Sequence, residues 1–222
     1  MTLTERHRKL VKDSSHRSGL RSFIVIASAW TAQGTLMMDQ SERLFKVLLE
    51  CVFLLLVGIP LYFLIDNTIL LMIVSVLIAH SLNLLFNGQL MVALKNIGRT
   101  SRTSQEIDQF TNDIRIGASK NKSVAFLAIF GSNARRSALS NSDLDVRVIR
   151  RRGLGNGLSA CLFTMRIRLL GLRRRLPIDI YLLDSSDSLR KHITPEELEN
   201  AIVLFDADNL MNGFANKKSL SG

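Results

Sequence analysis

Two long apolar runs constrain what this chain can become. Residues 47–65 (VLLECVFLLLVGIPLYFLI) carry one charge, Glu50, and residues 68–94 (TILLMIVSVLIAHSLNLLFNGQLMVAL) carry none. A helix rises about 1.5 Å per residue, so roughly 20 apolar residues cross about 30 Å of hydrocarbon. Both runs are long enough. The link Asp66-Asn67-Thr68 leaves no room for a folded loop, and the pair is predicted to form an antiparallel transmembrane hairpin over residues 47–94. The competing reading, a buried helical hairpin of a soluble protein, is disfavoured by so much uncharged sequence.

The flanking charges predict an orientation. Arg43 and Lys46 precede the first run, Lys95, Arg99 and Arg102 follow the second, and the turn holds no Lys or Arg. The positive-inside rule then places both termini in the cytoplasm, with two spans in the cell membrane. His80, Asn83 and Asn87 share one helix face, suited to hydrogen bonds with the first span or to a polar path or homo-oligomer contact. Pro60 is expected to kink the first helix, and Glu50 to reach the interface or pair with Lys46. Residues 1–46 read as a basic cytoplasmic segment, and residues 5–21 (ERHRKLVKDSSHRSGLR) suit anionic lipid. Residues 23–38 (FIVIASAWTAQGTLMM) are interrupted by Gln33 and Gly34. Their uninterrupted apolar stretch is too short for a signal peptide, and an interfacial or packing segment is expected.

Near residue 99 the composition becomes that of a soluble domain, expected over 99–208 and followed by a flexible tail at 209–222. With 47% hydrophobic and 22% charged residues the chain is too apolar to be disordered. Its two cysteines exclude a disulfide scaffold, and its histidines and cysteines lack zinc-finger spacing. Ile107, Phe110 and Ile114 predict a helix within 101–120, and residues 124–130 (VAFLAIF) a buried strand. Residues 143–149 alternate as a strand does. Leu158, Leu162, Met165, Leu169 and Leu172 mark the apolar stripe of an amphipathic helix. Residues 178–183 (IDIYLL) form another strand, Thr194-Pro195 starts a short helix, and residues 201–205 close the series as a strand. The fold class is α+β.

The chemistry concentrates where these elements meet. Gly131-Ser132 ends the first strand, residues 133–142 intervene, and Asp143-Leu144-Asp145 enters the next. Period two puts Asp143 and Asp145 on one face and Leu144 in the core. Adjacent carboxylates repel unless a cation lies between them. An oxygen-only donor set suits Mg²⁺, which also binds substrate phosphates. Asp179, on the later strand, is placed to join them if the strands are neighbours. The Gly-Ser turn lets phosphate approach the backbone closely, and Arg135 and Arg136 follow it.

The segment IFGSNARRSALSNSDLDVRVI, together with Asp179 in PIDIYLL, resembles the DNA polymerase β-like nucleotidyltransferase superfamily. The closest likeness is to its minimal members, whose pattern is Gly-Ser, ten residues, Asp-x-Asp. The resemblance covers roughly residues 103–208. It implies a small mixed sheet with helices on one face and a Mg²⁺-dependent enzyme using two metal ions, with Mn²⁺ as an alternative. Such an enzyme moves a nucleoside monophosphate from an NTP to an acceptor hydroxyl or phosphate. By the same resemblance Gly131, Ser132 and Arg135 bind the triphosphate, Asp143 and Asp145 ligate both metals, and Asp179 is the third ligand nearest the attacking hydroxyl. Arg136 stands where the family pattern has glycine. The hairpin suggests an acceptor at the membrane, lipid-linked or a protein. A different class also stays open: a membrane-tethered nucleotide-binding or regulatory partner, antitoxin-like, that acts on one companion protein.

Nine arginines and no acid lie between Val146 and Ile178. Such a block attracts polyanions. Membrane lipid is the favoured partner, with substrate phosphate next. Nucleic acid is disfavoured, because Phe163 is the lone aromatic there and offers no stacking platform.

Overall fold

The computed structural model describes residues 23, 27, 30, 31, 38–87, 103–134 and 143–211. The basic segment 5–21, the charges at Lys95, Arg99 and Arg102, the residue Arg135 and the tail beyond residue 211 lie outside the described residues.

Helices α1 (Gln40–Tyr62) and α2 (Thr68–Asn87) pair as a hairpin. At its tip the Asn67 side chain accepts a hydrogen bond from the Leu70 N–H, 3.0 Å, which satisfies one of the unpaired donors at a helix start. The apolar side chains of the distal hairpin face outward: Phe63 is 79% and Leu64 78% exposed, and Leu55, Leu56, Ile59, Ile69 and Met72 are exposed too. A core hairpin of a soluble protein would bury them. Helix α1 starts at Gln40, well ahead of the apolar run, because its first turns dock on the following domain.

The polar stripe of α2 is turned inward. His80 Nδ1 lies 3.1 Å from Glu50 Oε1. Asn83 Nδ2 donates to Glu50 Oε2 and to the Lys46 carbonyl, the latter at 3.1 Å. Glu50 therefore meets the partner helix rather than a distant interface. These bonds tie the two apolar helices to each other through side chains that the sequence spaces on one face.

Beyond the hairpin come α3 (Ser104–Lys120), β1 (Val124–Phe130), the single turn α4 (Gly131–Ala134), β2 (Leu144–Arg150), α5 (Leu154–Arg173), β3 (Ile178–Leu183), α6 (Ser186–His192), α7 (Pro195–Glu199) and β4 (Ile202–Asp206). The sheet order is β3-β2-β1-β4, with β1 antiparallel to both β2 and β4 and β2 parallel to β3. Parallel neighbours need a crossover, and α5 supplies it. The result is an α+β fold with a mixed four-stranded sheet, as the resemblance implies. β1 is buried along its whole length, in keeping with its unbroken apolar text.

Local sequence explains the boundaries. Thr103 caps α3 through a capping box with Glu106: the Thr103 N–H donates to Glu106 Oε2 at 2.8 Å, and the Glu106 N–H donates to Thr103 Oγ1 at 3.3 Å. Thr194 and Glu197 repeat the device at α7, with Pro195 in the first turn. The main core lies between α3, α5 and one sheet face, where Phe110, Ile114 and Ile167 meet Leu127, Val146, Val148 and Ile180, and Phe45 of α1 joins it. On the opposite face a smaller cluster gathers Phe126, Phe130, Ile149 and Leu183 around Leu189 of α6.

Helix α5 corrects one expectation. It buries Gly157, Ala160, Cys161, Thr164, Ile167, Arg168 and Gly171, whereas Leu158 and Leu162 are exposed. The helix lies too close to the sheet for a leucine face: a Cβ on Gly171 would run into the Ile178 side chain.

Candidate functional site

Parallel pairing sets Asp145 directly beside Asp179, and Arg147 beside Tyr181. On the other side of β2, Asp145 pairs with Phe130, the last residue of β1. The strand alternation that sends Leu144, Val146 and Val148 into the main core sends Asp145 and Arg147 to the opposite face. The two strand starts therefore deliver two acids to one point next to the β1–α4 turn.

That turn is built on Gly131. Its φ is +72°, a left-handed conformation natural to glycine. A Cβ there would collide with Asp145 Oδ2, so the carboxylate sits against the turn backbone. Ser132 follows in α4, half-buried. Asp143 stands one residue ahead of β2, half-buried, and its charge acts on both Asp145 and Asp179.

The electrostatics are those of crowded acids. Burial first, and then the negative charge of Asp143, push the Asp145 carboxyl up to about 7. Asp179 is also raised by burial, against the opposing pull of Arg147. The two carboxyl groups are within hydrogen-bonding reach of each other, an approach that needs a proton or a cation between them. Asp179 Oδ1 is buried and has no hydrogen-bond partner among the described residues. Two acids brought this close, one with a buried oxygen that has no donor, make a donor set suited to a hard divalent cation. Asp145 and Asp179 would hold it, with Asp143 adding charge. Among the described residues no three His, Cys, Asp or Glu side chains form a ready-made metal cage.

Arg147 belongs to this site, a role not assigned to it from sequence. Its guanidinium donates to the Asp179 carbonyl at 3.0 Å, lies 3.4 Å from Asp179 Oδ2, and sits over the Tyr181 ring at 4.8 Å. The signal was available, since Arg147 stands two residues beyond Asp145 on the same strand face.

The other arginines divide similarly. Arg150 pairs with Asp184 at 2.7 Å, Arg151 with Asp208 at 2.8 Å, Arg174 with Asp113 at 2.6 Å, and Arg168 with Glu42. Five of the nine thus have acidic partners brought from elsewhere in the chain, while Arg152, Arg166, Arg173 and Arg175 are exposed. Asp184 is likewise accounted for. Although burial pushes it up, hydrogen bonds from Ser41 and Arg150 hold its carboxyl below the usual range. It lies beyond the other end of β3, away from Asp179.

No protein-family model matches the chain, and no curated protein matches it. Among solved structures, a crystal structure of a toxin-antitoxin with AMP-PNP is 19% identical, with a TM-score of 0.35, covering 50% of this chain and 84% of that one. A mutant of the toxin-antitoxin MntA-HpeT is 18% identical with the same TM-score and coverage. At these values the likeness is a distant one.

Proposed function

We propose that this chain is a membrane-anchored nucleotidyltransferase that moves a nucleoside monophosphate from an NTP to an acceptor hydroxyl or phosphate. The observation that carries the reading is the meeting of Asp145 and Asp179 against the Gly131 turn, with Asp143 alongside. Divalent cations, two Mg²⁺ or Mn²⁺ ions when bound, would neutralise the acids and the triphosphate and stabilise the charge that develops in the transition state. The chain's own residues do the rest. The turn at Gly131 and Ser132 receives the triphosphate, and the Asp145 carboxylate packed against it leaves no space for a side chain at Gly131. Asp179 takes the proton of the acceptor hydroxyl. The acceptor oxygen bonds to the α-phosphorus while the bond to the bridging oxygen breaks, and pyrophosphate leaves. The half-buried setting limits competing water.

The outward apolar faces of α1 and α2 support the membrane anchor. The reading puts both termini in the cytoplasm and the acceptor at the membrane, lipid-linked or a protein.

The test is direct. Full-length protein in detergent, given Mg²⁺ and each α-labelled NTP with a membrane extract, should transfer label, and Asp145→Asn or Asp179→Asn should reduce transfer by at least about a hundredfold. Absence of both label transfer and nucleotide binding in the unaltered protein would remove the enzyme reading.

One observation favours a second reading. Arg147 holds Asp179 by its carbonyl and carboxylate, as suits a nucleotidyltransferase fold kept as a binding module. The chain would then be a membrane-tethered regulatory partner acting on one companion protein. In that case Asp143→Ala with Asp145→Ala leaves the cellular phenotype intact, while loss of the hairpin abolishes it.

A further inference from the structure

β3 lies at an edge of the sheet, so its outward backbone groups have no neighbouring strand to bond. Side chains take them up. Arg168 donates to the Ile180 carbonyl at 2.7 Å, and the Leu182 N–H donates to Glu42 Oε2 at 2.9 Å. The Asp184 N–H donates to Asp39 Oδ2 at 2.7 Å, and the Ser41 N–H returns a bond to Asp184 Oδ2 at 3.2 Å. Arg168 also pairs with Glu42 and donates to Asn87 at the end of α2. The foot of the hairpin, helped by α5, therefore stands where a fifth strand would.

The Glu42 and Arg168 side chains are 1% and 3% exposed. A buried ion pair recovers little of its desolvation cost, and two apolar side chains of similar size often stabilise as well. Stability alone is a poor account of this pair. Its geometry offers a better one, for it grips the backbone at Ile180 and Leu182, just past Asp179, on the strand whose register sets Asp179 beside Asp145.

We propose that Glu42 and Arg168 are positioning residues that hold β3 to the hairpin foot and so set the approach of Asp179 to Asp145. The site is then competent only while the hairpin is docked. A partner helix on α1, or a change of bilayer that tilts it, reaches the acids through this clamp. What the positioned acids accomplish rests on the transfer reaction proposed above; the clamp itself does not.

The experiment uses the full chain in nanodiscs and compares Glu42→Gln, the double variant Glu42→Met with Arg168→Met, and the control Arg151→Ala, which breaks an exposed ion pair. Three quantities are read: hydrogen exchange of peptides spanning β3, Mn²⁺ affinity by electron paramagnetic resonance, and melting temperature. Glu42→Gln should speed exchange in β3 about tenfold with β1 unchanged, and weaken Mn²⁺ binding about tenfold. The double Met variant, which removes the buried charges but leaves the Ile180 carbonyl and the Leu182 N–H unpaired, should regain part of the melting temperature lost in Glu42→Gln without regaining Mn²⁺ affinity, a split that a merely structural pair would not produce. Unchanged β3 exchange in Glu42→Gln, or Mn²⁺ affinity that follows melting temperature across the set, overturns the proposal. If the unaltered protein binds no Mn²⁺ and transfers no label, the transferase reading has failed. Exchange then decides the clamp alone: β3-selective acceleration in both clamp variants supports it, and uniform or absent acceleration overturns it.

Discussion

Gly131 carries two demands at once, a φ of +72° and a carboxylate where a Cβ would go. Replacing it with alanine therefore costs backbone strain of about 1–3 kcal/mol and displaces Asp145. Gly155, in the first turn of α5 with open space around it, is the natural control. Chemical unfolding should show Gly131→Ala destabilised by that amount and Gly155→Ala unchanged or slightly more stable; equal effects would refute the close packing of turn and acid. Asp145 makes a second prediction at this scale. Its folded carboxyl titrates near 7, above the unfolded value of about 3.9, so between those values the folded state binds more protons. Its contribution to stability consequently falls as pH rises through that window. Divalent cation relieves the crowding that a proton otherwise relieves. The rise in melting temperature given by Mg²⁺ should be larger at pH 8 than at pH 5.5, and Asp145→Asn should flatten the difference. A Mg²⁺ effect independent of pH would count against Asp145 as a ligand.

Helix α5 shows how far an element can be read from its text. The spacing of Leu158, Leu162, Met165, Leu169 and Leu172 predicts the helix correctly, and its extent is close, but the face turned to the core is another one. Small residues, Gly157, Ala160, Cys161 and Gly171, let the helix approach the sheet and the hairpin closely, a requirement that hydrophobicity alone does not express. Leu158→Gln should change stability by about 0.5 kcal/mol or less, whereas Ala160→Leu should cost about 1–3 kcal/mol by overpacking; the reverse order in a thermal melt would mean the helix is turned otherwise. Strands were more legible than this helix, since β1 announces itself by a continuous apolar run and β2 by alternation as far as Val148. The acids followed from that alternation, because period two leaves Asp145 and Asp179 one available face each. Arg168 was not legible. Its partners Glu42 and Asn87 are distant in sequence, on segments whose text reads as tail and membrane span, and only tertiary structure brings them to it.

At the scale of the whole molecule the foot of the hairpin belongs both to the domain and, on the membrane reading proposed above, to the anchor, and this bears on how the chain would meet a bilayer. Phe45 enters the domain core, while Leu44, Val47 and Leu48 on the same turns of α1 are exposed. If the anchor began where the docked turns end, after Glu50, the remainder of α1 and the turn to Ile65 would reach only about 22 Å, short of the roughly 30 Å hydrocarbon thickness. Counting instead from Leu44 to Leu64, the outward face reaches about 30 Å and matches the bilayer. Spanning would thus require the domain to rest against the membrane with the outer side of the foot in lipid. A cysteine at the tip discriminates the geometries. In a chain with Cys51→Ala, Asn67→Cys should react with an impermeant maleimide added to intact cells, while Ser119→Cys at the end of α3 should react only after permeabilisation. Labelling of both positions only after permeabilisation would mean that the hairpin dips into one leaflet and returns, and labelling of Ser119→Cys in intact cells would reverse the orientation.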